Sequence, residues 1–256
     1  MQGLANLGSD FKFTGIEMDP ERKAVLIVGC FLLLLTLSLH NSGCVKVAES
    51  HLQANEARRQ EESVNSALFR AAAIGDLNTV KAALDSGADV NAREEERETP
   101  LMYASAEGNT EIVLYLITHG ADVNASSDNN ETALGRAAIM GRTATVKALL
   151  DHGADVDKST EANGTPLMDA ASGGHTETVK LLLARGANVN AKNVKGDTAL
   201  AYAATRGAPI ETIRVLLSAG AEVSSKNKNG ETALDCAKEQ GNQQIVELLK
   251  QSTKKH

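Results

Sequence analysis

His119 and His152 stand 33 residues apart in the same local phrase, His-Gly-Ala-Asp-Val, so a fold that stacks the two phrases brings two imidazoles onto neighbouring units. A zinc site asks for three or four ligands at fixed spacing, and no third ligand accompanies this pair. The pair reads better as two histidines at helix C-termini, where positive charge is favoured. Of the three cysteines, Cys30 lies in an apolar run, Cys44 at its exit, and Cys236 alone far downstream, so no disulfide framework exists. Cys236, beside Leu234 and Ala237, fits a small half-buried side chain better than a reactive thiol. No Ser-His-Asp arrangement, phosphate loop, paired-cysteine motif or HExxH motif is present. The acids Glu111, Glu177 and Glu211 recur as part of a unit rather than as a catalytic pair. The residues call for no cofactor and no metal, and a small metal-dependent enzyme assembled across units is the weakest functional reading.

The elements that would position any such residue follow from a period. Thr-x-Leu followed by small alanines recurs at Thr99, Thr132, Thr165, Thr198 and Thr232, with spacings of 33, 33, 33 and 34 residues. A second phrase, Gly-Ala-Asp-Val-Asn at 87 to 91 and 120 to 124, keeps step with it at Gly153 to Asp157, Gly186 to Asn190 and Gly220 to Ser224. Two phrases in register define one unit, and a unit of this length cannot bury its apolar face alone, so units must stack into a solenoid. Thr caps the first helix, and Pro100 and Pro166 suit its first turn. The second helix carries its apolar groups at helical spacing, as in Val113, Leu116 and Ile117, or Val146, Leu149 and Leu150. Gly87, Gly120, Gly153, Gly186 and Gly220 end it.

Thr99-Pro100-Leu101 with Ala104, Thr165-Pro166-Leu167 with Ala170 and Ala171, and the degenerate Thr132-Ala133-Leu134 and Thr232-Ala233-Leu234 resemble ankyrin repeats over roughly residues 64 to 250. The resemblance implies an all-α solenoid of helix-turn-helix units with β-hairpin fingers. Stepping back one period to Ser66-Ala67-Leu68 adds an atypical first repeat. The expected units are six, at 66–98, 99–131, 132–164, 165–197, 198–231 and 232–250, with 251–256 as a tail. Two departures stand out: the usual His after Leu is Phe69, Met102, Gly135, Met168, Ala201 and Asp235, and Gly135 inside a helix costs about 1 kcal/mol against Ala.

Ahead of the repeats, residues 24–39 form an uncharged run of 16 after Arg22 and Lys23. That is short for a membrane span of about 20 residues, and it suits a targeting segment. Ser42-Gly43-Cys44 resembles the lipobox of bacterial lipoproteins, which implies lipidation of Cys44. An uncleaved signal anchor and a plain cleaved signal remain open. Met18 to Gly43 has the proportions of a complete signal peptide. Residues 1–43 are thus expected to be a signal or anchor and 44–65 a polar tether. The repeats are expected on the non-cytoplasmic side of a cell envelope, periplasmic or extracellular, if Arg22 and Lys23 stay inside.

The chain carries a formal charge of −7 and no basic face, which argues against nucleic acid as a partner. Apolar residues make up 42% and aromatics only 3%, so alanine and leucine do the packing. In the ankyrin family, targets are contacted by the concave face and the fingers. The resemblance places Arg70, Tyr103, Arg136, Asp169, Tyr202 and Cys236 in one concave stripe. Ile139 and Met140 fall in a second stripe that the fold leaves exposed. Tyr103, Arg136, Ile139 and Met140 form the expected binding centre, with Tyr202 and Arg70 beside it, because aromatic, Arg and Met side chains anchor interfaces. The finger segments 92–98, 125–131, 158–164, 191–197 and 225–231 carry charges of −2, −2, 0, +1 and +1. Such a polarised row would orient a charged partner along it. Asn130, Asn163, Gly196 and Gly230 suit positive φ at the finger tips, whereas Arg97 does not, so the first finger should turn differently. The leading functional reading is a non-enzymatic, membrane-anchored, monomeric scaffold that binds a protein partner; a mechanical spacer is the next.

Overall fold

The computed structural model describes residues 43–158 and 164–253, with side chains from residue 52 onward. The segment 1–42, the Cys44 side chain and the fingertip residue Asn163 lie outside what is described. Among the described residues there are twelve α-helices and no β-strand. The first is α1 (Gly43–Ile74), followed by α2 (Leu77–Asp85), α3 (Pro100–Glu107), α4 (Thr110–Thr118), α5 (Ala133–Ile139) and α6 (Thr143–Asp151). Then come α7 (Pro166–Ser172), α8 (Thr176–Ala184), α9 (Ala199–Arg206), α10 (Ile210–Ser218), α11 (Ala233–Glu239) and α12 (Gln243–Thr253). The expected polar tether is helical in backbone, since α1 runs from residue 43 into the first repeat. Its side chains are exposed from 52 to 63, before Leu68 enters the core. No described helix is long and apolar enough to cross a membrane.

Within residues 60–256 the six expected helix pairs are present. Helices α3, α5, α7, α9 and α11 stack in chain order, and α4, α6, α8, α10 and α12 stack behind them. The first helices begin as their sequence requires: the hydroxyls of Thr99, Thr132, Thr165, Thr198 and Thr232 each accept the backbone N–H three residues on. The core is a ribbon of Leu, Val and Ala in which Leu134, Val146 and Leu149 are fully buried. Each such side chain contributes about 1.5–3 kcal/mol. Burial continues from repeat to repeat without a break, so the units stand or fall with their neighbours.

Polar seams reinforce that stack. The hydroxyls of Thr110 and Thr145, Thr143 and Thr178, and Thr176 and Thr212 pair at 2.8, 2.8 and 2.7 Å between successive second helices. At the far end of each repeat, the last residue of the Gly-Ala-Asp-Val-Asn phrase reaches the next copy. Asn124 accepts the N–H of Asp155 at 2.9 Å and donates to the carbonyl of Gly153 at 2.9 Å, and Asn91 and Asn190 do the same one repeat before and two after. Three residues that open second helices also bridge backwards. Asn109, Arg142 and His175 bond carbonyls of the preceding first helix, His175 reaching that of Ile139 at 2.9 Å.

The fingers are hairpin turns without strands among the described residues. The first, second, fourth and fifth are each closed by a pair of backbone bonds, such as Ser127 N–H to the Glu131 carbonyl and Asn130 N–H to the Ser127 carbonyl, both at 3.0 Å. The first and second fingers, and the fourth and fifth, are joined by backbone bonds, Asp128 N–H to the Glu96 carbonyl at 2.7 Å and Lys228 N–H to the Lys195 carbonyl at 2.9 Å. Asn130, Gly196 and Gly230 do take positive φ. Arg97 holds φ 56°, as Asn130 holds 57° at the equivalent place, although Arg was expected to avoid it; the first finger differs in that Glu96 also takes positive φ, at 57°.

Candidate functional site

The first-helix positions form a stripe whose centre is an ion-pair cluster. Arg136, on α5, donates through Nε to Glu131 at 2.9 Å, and its Nη2 pairs with both Glu131 and Glu98. Its side chain is only 22% exposed, so this charge is largely committed within the fold. Glu98, at the base of the first finger, is buried, and Arg136 supplies the positive charge that a buried carboxylate requires. Tyr103 from α3 completes the cluster. Burial first, and then its hydrogen bond to Glu98, push its phenol up to about 12, so it stays a neutral donor. Its ring meets Phe69 edge-on, with centroids 5.8 Å apart.

Beside the cluster lies a cavity of about 300 Å³ bounded by Glu131, Arg136, Ile139, Asp169, Tyr202 and Arg206. It spans the third, fourth and fifth repeats on the stripe. Burial, and secondarily the charge of Glu131, push the carboxyl of Asp169 up to about 8, far above its ordinary 3.8. Tyr202 accepts a hydrogen bond from Asn193 at 3.0 Å, and burial raises its phenol too.

The expected site residues divide into three groups. Arg136, Ile139 and Tyr202 share the cavity wall. Tyr103 joins Arg136 through Glu98. Met140 caps the end of α5 outside the wall, and Arg70 is exposed on α1 away from it. Ile139 and Met140 are exposed by 38% and 47%, as the pattern requires, although Ile74 at 77% exposes more. Glu98 and Glu131 were not among the expected site residues. A signal for both exists: an acid directly precedes the capping Thr at Glu98, Glu131, Asp197 and Glu231, and only Gly164 breaks the series.

The remaining chemistry-bearing side chains serve the repeats. His119 and His152 bond the carbonyls of Tyr115 and Ala148 in their own helices, both at 2.8 Å. Among the described residues, no cluster of His, Cys, Asp and Glu could hold a metal ion. Cys236 is half-buried, and burial raises its thiol above the ordinary value, which disfavours the reactive thiolate.

The model of ankyrin repeats in three copies matches residues 35–127, 68–160, 122–193 and 167–256. Among curated proteins no match is found. The solved structure of the Bd0816 predatory endopeptidase from Bdellovibrio bacteriovorus in complex with immunity protein Bd3460 contains a chain 36% identical to this one. The likeness covers 72% of this chain and 97% of that one, with a TM-score of 0.65. Repeat period, capping threonines, stacked helix pairs and these matches agree: this chain belongs to the ankyrin-repeat family, whose members are generally non-enzymatic protein-interaction scaffolds.

Proposed function

We propose that this chain is a non-enzymatic, monomeric binding module that recognises a folded protein through its concave stripe and fingers. The observation that carries the reading is the exposed apolar pair Ile139 and Met140, next to a walled cavity and the Tyr103–Glu98–Arg136 cluster. Side chains held rigid before binding lose little entropy when a partner arrives, and Arg136 and Tyr103 are held by Glu98. The −2 charge of each of the first two fingers and the +1 of each of the last two would orient a partner with complementary ends. The lipobox-like Cys44 and the apolar run before it support a module anchored to a membrane and facing away from the cytoplasm. Because the related solved chain comes from a complex of an endopeptidase with an immunity protein, a peptidase of the cell envelope is the first partner class to test.

Crosslinking in living cells, followed by purification and mass spectrometry, tests partner, compartment and face together. The native chain should capture an envelope protein, and Tyr103→Ala with Met140→Ala should lose it by at least about tenfold, the effect expected when two interface anchors are truncated. Capture of cytosolic proteins alone overturns the topology. Capture unchanged in the double variant overturns the chosen face.

A further inference from the structure

Gly135 lies inside α5 and is not in the left-handed region, so the backbone does not require glycine there. The equivalent positions in the flanking repeats are Met102 and Met168, both fully buried. Glycine therefore leaves unfilled a volume that a thioether fills on either side, and Gly135 lines the cavity. A Cβ on Gly135 would sit 3.2 Å from Oδ2 of Asp169, so the glycine also keeps that carboxyl uncrowded.

Two acids, Glu131 and Asp169, and two guanidiniums, Arg136 and Arg206, stand in the cavity wall, and among the described residues the ion pairs there are those of Arg136. From the second finger comes Glu131, from α5 Arg136, and from α9 Tyr202 and Arg206. Arg136 is already shared by Glu131 and Glu98. The Asp169 carboxyl accepts no hydrogen bond among the described residues, and Glu131 is the charge that acts on it. A carboxyl in such a place gains most from a cation that enters the cavity and stays there.

We propose that this cavity is a specificity pocket that receives one basic side chain, lysine or arginine, of the protein partner and pairs it with the carboxylates of Asp169 and Glu131. The inference rests on the concave-face reading above. It explains why the stripe places an acid with no ion pair of its own beside an apolar pair: Ile139 and Met140 supply contact area, and the pocket selects the charge. Pairing needs Asp169 ionised, whereas the free protein keeps it protonated below about pH 8. Binding therefore releases a proton, and affinity rises with pH up to that point, by about tenfold per unit.

The test uses full-length chain in detergent with ¹³C-labelled carboxyls, titrated with N-acetyl-lysine methylamide and N-acetyl-arginine methylamide. The uncharged norleucine analogue is the control. The basic probes should give a saturable shift at the Asp169 carboxyl with a Kd of about 1–10 mM, reasonable for so small a ligand. Binding should be about tenfold tighter at pH 7 than at pH 6. Asp169→Asn should abolish the pH dependence and weaken binding at least about tenfold at pH 8, the size of a lost charge-assisted pair. Gly135→Met, which keeps the carboxyl but fills the cavity as its neighbours do, should weaken binding equally. Equal binding of the norleucine analogue, undiminished binding in Asp169→Asn, or no saturable shift up to about 100 mM overturns the pocket's role. Failing probes with capture still dependent on Tyr103 and Met140 overturn the pocket alone. Bound probes with capture indifferent to those residues overturn the chosen face, and with it the pocket's role in partner recognition.

Discussion

Along the seams the same bond is made repeatedly: Thr110 meets Thr145, Thr143 meets Thr178, Thr176 meets Thr212, and Asn91, Asn124 and Asn190 each bracket the next repeat. Along the concave stripe the corresponding residues are Arg70, Tyr103, Arg136, Asp169, Tyr202 and Cys236, and no two neighbours are alike. The seams run between second helices and the loops that follow them, and the stripe lies on the first helices of the same repeats. A residue that recurs every repeat answers to the identical repeat beside it, because stacking presents it with the same partner each time. A residue that changes at each repeat is free of that demand, so its type reflects either a local bargain, as with Arg136 and Glu98, or something outside the chain, as proposed for Asp169.

The largest effect should come from breaking the stripe's internal bargain. Replacing Arg136 by Met leaves the buried Glu98 without its counter-charge, and unfolding in urea should show a loss of about 2–4 kcal/mol. That is somewhat below the range for a fully buried pair, because the Arg136 side chain is 22% exposed. Adding Glu98→Gln should recover most of the loss, since the charge that needed pairing is then gone. If Arg136→Met costs as little as a surface substitution, the cluster is not what holds the finger base, and the stripe's rigidity needs another source.

Next in size is Asp169→Asn, read as stability against pH. The folded carboxyl is pushed up to about 8 from an ordinary value of 3.8, so between these pH values the folded chain holds a proton that the unfolded chain has released. Stability of the native protein should therefore fall as pH rises from about 4 to about 8 and level off above, by about 1.4 kcal/mol per unit at most. The Asn variant carries no such proton. Its advantage over the native chain should be small at pH 4 and on the order of a few kcal/mol at pH 8. Parallel melting curves for the two proteins across that range would show that Asp169 is not held protonated by burial, and would remove the pH dependence assigned to the pocket.

The division between seam and stripe also explains what the sequence made legible. The period located all six helix pairs, and the five threonines cap the helices they were expected to cap. Arg97 was legible as a misfit because glycine or asparagine occupies its place in the other fingers. The exposure of Ile139 and Met140 followed from register alone. The Glu98–Arg136 pair was not visible, because it joins residues 38 apart whose side-chain reach no pattern specifies. Gly135 was visible only as a propensity cost. Its meaning, room beside Asp169, depends on a side chain from the next repeat. The role of the recurring Asn was not visible for a related reason, since its partners lie in the following copy.

The smallest effect probes the seam where it departs from its own rule. At Asp157 the phrase carries a carboxylate, which accepts the Asn188 N–H at 3.1 and 3.2 Å but has no N–H for the Gly186 carbonyl. In the same place Asn91, Asn124 and Asn190 donate to the carbonyls of Gly120, Gly153 and Gly220 at 3.0, 2.9 and 3.0 Å. Asp157→Asn should therefore add one bond and raise stability by about 0.5–1 kcal/mol, the net worth of a partly exposed hydrogen bond. Asn124→Asp should lose a similar amount. Melting temperatures of the pair, moving in opposite directions, would establish that the seam obeys one rule at every copy. If Asp157→Asn gains nothing while Asn124→Asp still loses, water already serves the Gly186 carbonyl, and the fourth repeat joins the third by a bracket of its own.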